Sequence, residues 1–191
     1  METNWHPLNA ELWTASSASD PFKLIDAFFN LEHLDRYKHT LSEIMFFMYT
    51  KQIYRPDNPG TVLITYAALR SFLNASCQLQ HFKPVTGSPA QLVPGQNSLL
   101  TLSSLSRDEF RQPFGVFKSA FRIQSLASYE VFLFEAVYLA LSPHTGPSIP
   151  DMTTPYIWLL KKLDAAQLIR ERHGNSAGPL NPAGEQLKSR Y

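Results

Sequence analysis

Residues 21–51 read PFKLIDAFFNLEHLDRYKHTLSEIMFFMYTK, and residues 113–143 read PFGVFKSAFRIQSLASYEVFLFEAVYLALSP. The two stretches align without a gap. Pro21 falls on Pro113, Phe22 on Phe114, Phe29 on Phe121, Leu34 on Leu126, Tyr37 on Tyr129, Leu41 on Leu133 and Glu43 on Glu135. Further along, Tyr66, Leu69, Leu73, Asn74 and Ala75 fall on Tyr156, Leu159, Leu163, Asp164 and Ala165. The offset is 92 residues in the first block and 90 in the second, a difference that a connecting loop absorbs easily. This pattern predicts an internal repeat of a short helix followed by two long ones. One such unit has an apolar stripe and nothing to bury it against. Two units related by a pseudo-twofold axis would close a single helical bundle.

Cap chemistry places the helix starts. Asp20 before Pro21 is an N-cap followed by proline at the first helical position. Ser106 with Glu109 is a candidate capping box, Ser125 is a further cap, and Asp151 or the threonines after it can cap the last helix. The expected helices are 21–30, 32–51, 61–81, 113–122, 126–141 and 152–172, with no convincing strand signal. The chain reads as one all-α domain over 1–191. Repeat one is about 20–81, a Pro/Gly/Ser-rich linker spans 82–106, repeat two is about 107–173, and 174–191 is a flexible tail.

At 191 residues the chain can bury a sizeable core. Aromatics are 13% and charged residues 17%, against about 25% charged in an average domain, so a folded chain with an aromatic core is expected. A net charge of +1 gives no field that favours nucleic acid or an anionic membrane. One cysteine, Cys77, cannot form an internal disulfide, which suits a reducing compartment. The first residues, METNWHPLNAELW, lack the basic and apolar regions of a signal peptide. The longest apolar run, Val131 to Leu141, is eleven residues with Glu135 inside it, whereas a membrane span needs about twenty. The expectation is a soluble cytoplasmic protein. Asn74-Ala-Ser76 matches a glycosylation sequon, which such a setting makes a chance match.

On helix 32–51, Leu34, Tyr37, Leu41, Ile44, Met45 and Met48 share a face at helical spacing. Helix 126–141 repeats that stripe, but Val131, Phe132, Tyr138 and Leu139 surround Glu135 on its back. A helix apolar all round is ordinarily covered on both sides. The cover would be the arm carrying Trp5 and Trp13, the helix carrying Phe114, Phe117 and Phe121, or another chain. Within that surface Glu135 needs a partner, and a tyrosine hydroxyl, a backbone amide, Arg111 or Arg122 would serve.

Catalytic constellations are missing from the sequence. Asp35, His39 and Glu43 lie on one helix face, but the second unit has Ala127 and Val131 in place of the first two, so a solvated stripe is the expectation rather than a metal site. Ferritin-like metal pairs want Glu-x-x-His, and Phe46 and Tyr138 stand where the histidines would. No Arg–His spacing matches the helical ribonucleases of the HEPN class. There is no nucleophile elbow, GxGxxG or P-loop. Cys77 reads as a core thiol. Lys161, Lys162, Arg170, Arg172 and His173 read as cations that suit a helix C-terminus.

The Phe-Phe…Leu…Tyr block followed by Tyr…Leu…Asn/Asp-Ala, twice over, resembles a family of uncharacterised all-helical bacterial proteins associated with Bacteroidota. The resemblance spans about 20–172. It implies a bacterial cytoplasmic origin and carries no known activity, cofactor or site residue. The reading that remains is a non-enzymatic protein-interaction module, with a protein partner or a homodimer and no cofactor, nucleic acid or membrane. The alternative is a small-ligand-binding bundle with a pocket between the halves near Tyr66, Tyr156, Trp158, Glu43 and Glu135.

Overall fold

A computed structural model describes residues 20–50, 52–56, 58–82, 104–142 and 151–176. The described residues form seven helices and no strand: α1 (Pro21–Leu31), α2 (Leu34–Thr50), α3 (Pro59–Leu79), α4 (Arg107–Arg111), α5 (Phe114–Ile123), α6 (Leu126–Leu141) and α7 (Thr153–Ser176). None is long and apolar enough to cross a membrane. The first nineteen residues, with Trp5 and Trp13, most of the 82–106 linker and the tail beyond 176 lie outside the described residues.

The starts follow local chemistry. Asp20 accepts from the Phe22 amide at 2.9 Å, and Pro21 fills a position whose N–H would have no partner. Ser125 accepts from the Ser128 amide at 3.1 Å. Asp151 accepts from the Thr153 amide at 3.0 Å and the Thr154 hydroxyl at 2.7 Å, and these bonds hold its carboxyl below the usual range. Two starts differ from expectation. Asn58 caps α3 through the Gly60 amide at 2.9 Å, so that helix begins at Pro59 rather than 61. The Ser106–Glu109 capping box is present as the sequence suggests, but it opens a separate five-residue helix, α4, that the expected set of helices does not include.

One core joins the two halves of the described chain. Phe28, Tyr37, Leu69, Phe72, Leu73, Phe117, Tyr129, Leu159 and Leu163 are all buried within it. Phe28 stacks on Tyr37 at 4.0 Å and on Phe72 at 4.8 Å between ring centroids. Burying each such side chain contributes about 1.5–3 kcal/mol. The connection after α2 is also bound in. Tyr54 is buried, its amide donates to the Ala140 carbonyl at 2.8 Å, and its hydroxyl donates to Glu43 at 3.0 Å.

Two seams bridged by polar pairs cross this core. Along α3 and α6, Arg70 meets Glu130 at 3.0 Å, and Leu63 and Tyr66 face Phe134, Val137, Tyr138 and Leu141; the two helices therefore run antiparallel. Along α2 and α7, Lys38 pairs with Asp164 and Ser42 meets the Tyr156 hydroxyl at 2.9 Å, again antiparallel. The short α4 is strapped to α7. Lys161 donates to both oxygens of Glu109 at 2.7 and 2.8 Å, and Arg172 donates to the Phe110 carbonyl at 2.8 Å.

Candidate functional site

The α3–α6 seam opens into a hollow of about 440 Å³ lined by Leu63, Tyr66, Phe134, Val137, Tyr138, Leu141 and Ser142. On α3, residues 63, 66 and 70 share a face. On α6, residues 130, 134, 137, 138 and 141 do the same. Arg70 and Glu130 close one end, and their hydrogen bond raises the Arg70 pKa above its usual value. Beyond that pair, large apolar groups reach solvent: Leu63 is 54% exposed, Phe134 58% and Tyr138 59%. Phe134 and Tyr138 stack on each other with centroids 6.1 Å apart. Val131 extends the same surface. The back of α6 is thus uncovered among the described residues.

A second hollow, about 350 Å³, lies on another side of α6 and is lined by Gln124, Ala127, Ser128, Val131, Phe132, Glu135, Asp151, Met152 and Pro155. Glu135 is half-buried there. None of the expected partners reaches it. Arg111 lies instead near Asp108, at 3.8 Å.

The five residues expected to line one pocket are dispersed. Tyr66 lines the 440 Å³ hollow and Glu135 the 350 Å³ hollow, and neither hollow contains another of the five. Glu43 bonds Tyr54 and approaches His39 at 3.3 Å. Tyr156 meets Ser42 on the α2–α7 seam. Trp158 lies under the Lys161 ammonium, 5.3 Å from its ring centroid. The Asp35, His39, Glu43 line brings only the last two together, and no group of three or more His, Cys, Asp or Glu among the described residues could hold a metal. Cys77 is half-buried and accepts from the Gln80 side chain at 3.2 Å.

The basic end of α7 is not a set of free terminal cations. Lys161 pairs with Glu109. Burial alone would push the Glu109 carboxyl up, but Lys161 and Ser106 outweigh it and hold it below its usual value. Arg170 reaches Asp26 at 3.3 Å and Asn30. Burial lowers the Arg172 pKa while its guanidinium serves α4 carbonyls.

Lys162 is fully buried. Its amine lies 3.1 Å from the Tyr129 ring centroid and 4.5 Å from that of Phe121, and makes no hydrogen bond. Burial drives its pKa well below the usual lysine value, and the nearby Cys77 opposes that only in part. The buried Asp164 is anchored by Lys38 and by the Ser104 amide at 3.0 Å. Sequence reasoning missed both roles, because each depends on which neighbours the other half supplies.

No protein-family model, no curated protein and no solved structure matches this chain.

Proposed function

We propose that the chain is an interaction module whose docking surface is the α3–α6 seam, and that it pairs there with a second copy of itself. The observation that carries this is the exposed aromatic strip of Phe134 and Tyr138 above the apolar hollow. Contiguous apolar surface of this kind marks interaction sites. The charges at its end favour self-pairing. A twofold contact sets each residue against its reciprocal, and a face carrying Arg70 beside Glu130 offers both signs to its own copy. The role is non-enzymatic and intracellular, in keeping with the bacterial family that the sequence resembles.

Two related units, about 20–81 and 107–173, are proposed as the origin of the bundle. Equivalent bonds support this. The Tyr37 hydroxyl donates to the Phe28 carbonyl at 3.0 Å, and the Tyr129 hydroxyl reaches the Ala120 carbonyl at 3.5 Å. Both residues of the second pair lie 92 positions beyond the first. Phe22 and Phe114, also 92 apart, meet edge to face at 6.4 Å. Tyr66 with Phe134 on one seam corresponds to Tyr156 with Ser42 on the other.

Sedimentation velocity tests the docking surface. The wild type should sediment as a dimer at about 50 µM, and Phe134→Arg should be a folded monomer with an unchanged circular dichroism spectrum. A wild type that stays monomeric at that concentration refutes self-pairing.

A further inference from the structure

We propose that the hollow beside Glu135 binds a small organic cation, an ammonium group carried on an apolar body. Its walls include Phe132 and Met152, and its polar lining is rich in acceptors with no lysine or arginine among them. Asp151 is already committed to capping α7. Ser128 is turned toward Ser125, at 2.8 Å. Glu135 remains, a half-buried carboxylate that no hydrogen bond or ion pair among the described residues engages. The Gln124 side-chain oxygen also lacks a partner but is closed off from solvent, so it lies out of a ligand's reach. A cation seated on the apolar wall would balance the carboxylate.

Other ligand classes fit less well. A neutral molecule would leave the carboxylate unbalanced. An anion would meet two carboxylates, Glu135 and Asp151. A hard metal ion wants several convergent acidic ligands, and no group of three or more His, Cys, Asp or Glu among the described residues could hold one. A volume of about 350 Å³ lies at the small end of ligand pockets, which suits a single ring or a short alkyl chain. The site shares no lining residue with the α3–α6 hollow; Val131 alone belongs both to it and to the exposed surface of α6.

The test is isothermal titration of the full chain at pH 7 with benzylamine, with benzyl alcohol as the neutral isostere and calcium chloride as the inorganic cation. Benzylamine should bind saturably at one site per chain, and the alcohol about tenfold or more weaker. Glu135→Gln should weaken benzylamine by about tenfold or more while melting no lower than wild type, since the carboxylate has no partner to lose. No saturation by about 10 mM benzylamine, equal binding of the alcohol, unchanged affinity in Glu135→Gln, or calcium competing for the site would each overturn the proposal.

Discussion

Replacing Lys162 by methionine keeps a long flexible side chain in the slot beside Tyr129 and removes the amine. The unfolded chain holds a proton on this lysine up to about pH 10.4. In the fold, burial lowers its pKa well below that. Between the two values the unfolded state binds more protons. Stability therefore rises with pH across this window and is lost as pH falls through it. One proton sets a limit of about 1.4 kcal/mol per pH unit. Lys162→Met lacks this dependence. It should be more stable than wild type at pH 7, because the wild type must both give up the lysine proton and bury an amine that makes no hydrogen bond. That advantage should shrink as pH rises from 6 to 8, by no more than the one-proton limit. Measurement up to pH 8 stays under the range where tyrosines ordinarily ionise and reaches only the foot of that for thiols, and histidine effects cancel between the two proteins. The assay is urea unfolding at pH 6, 7 and 8 with the denaturant slope held common. A gap independent of pH refutes the reasoning. So does a loss of about 3–5 kcal/mol in the variant, the signature of a broken buried ion pair.

Two further substitutions probe the seam and the helix ends. Asp164→Ala removes the carboxylate that pairs with Lys38 and accepts from Ser104. It should cost about 3 kcal/mol by chemical denaturation, the low end for a broken buried pair, because Lys38 keeps some access to water; a loss under about 1 kcal/mol would mean that the pair is of surface type. Tyr37→Phe should cost about 1–2 kcal/mol, since Phe28 lies in the last turn of α1, where carbonyls lack helical partners. Tyr129→Phe should cost less, because the Ala120 carbonyl already accepts from the Gln124 amide at 3.0 Å and the tyrosine bond is longer. Equal losses in thermal melts would contradict this ordering.

Helix starts at Asp20, Ser125 and Asp151 were legible because a cap is a bargain between residues two or three apart. Asn58-Pro59 uses the same chemistry as Asp20-Pro21, yet it sits in RPDNPG, where the prolines and glycine read more naturally as a loop. The stripe on α6 was legible as a period. That its back would remain open was not, since exposure depends on what the rest of the chain covers. Lys162 shows the same boundary. On a wheel it belongs with Lys161 as a cation near a helix end. Only the approach of Phe121 and Tyr129 turns one of two adjacent lysines inward and leaves the other to pair with Glu109. The site at Glu135 was half legible. The misplaced carboxylate stood out in the sequence, whereas the hollow beside it has no local signal and forms only where Met152 and Pro155 approach α6.

The two seams carry opposite polarity. Lys38 and Glu130 occupy corresponding positions on α2 and α6, and their partners are Asp164 on α7 and Arg70 on α3. Under the proposed duplication, the residues that correspond to Asp164 and Arg70 are Asn74 and Leu160. Two first halves brought together would set Lys38 against an uncharged amide, and two second halves would set Glu130 against a leucine. Each seam would gain its ion pair only where unlike halves meet, so the charges would reward the mixed pairing over either pairing of like halves.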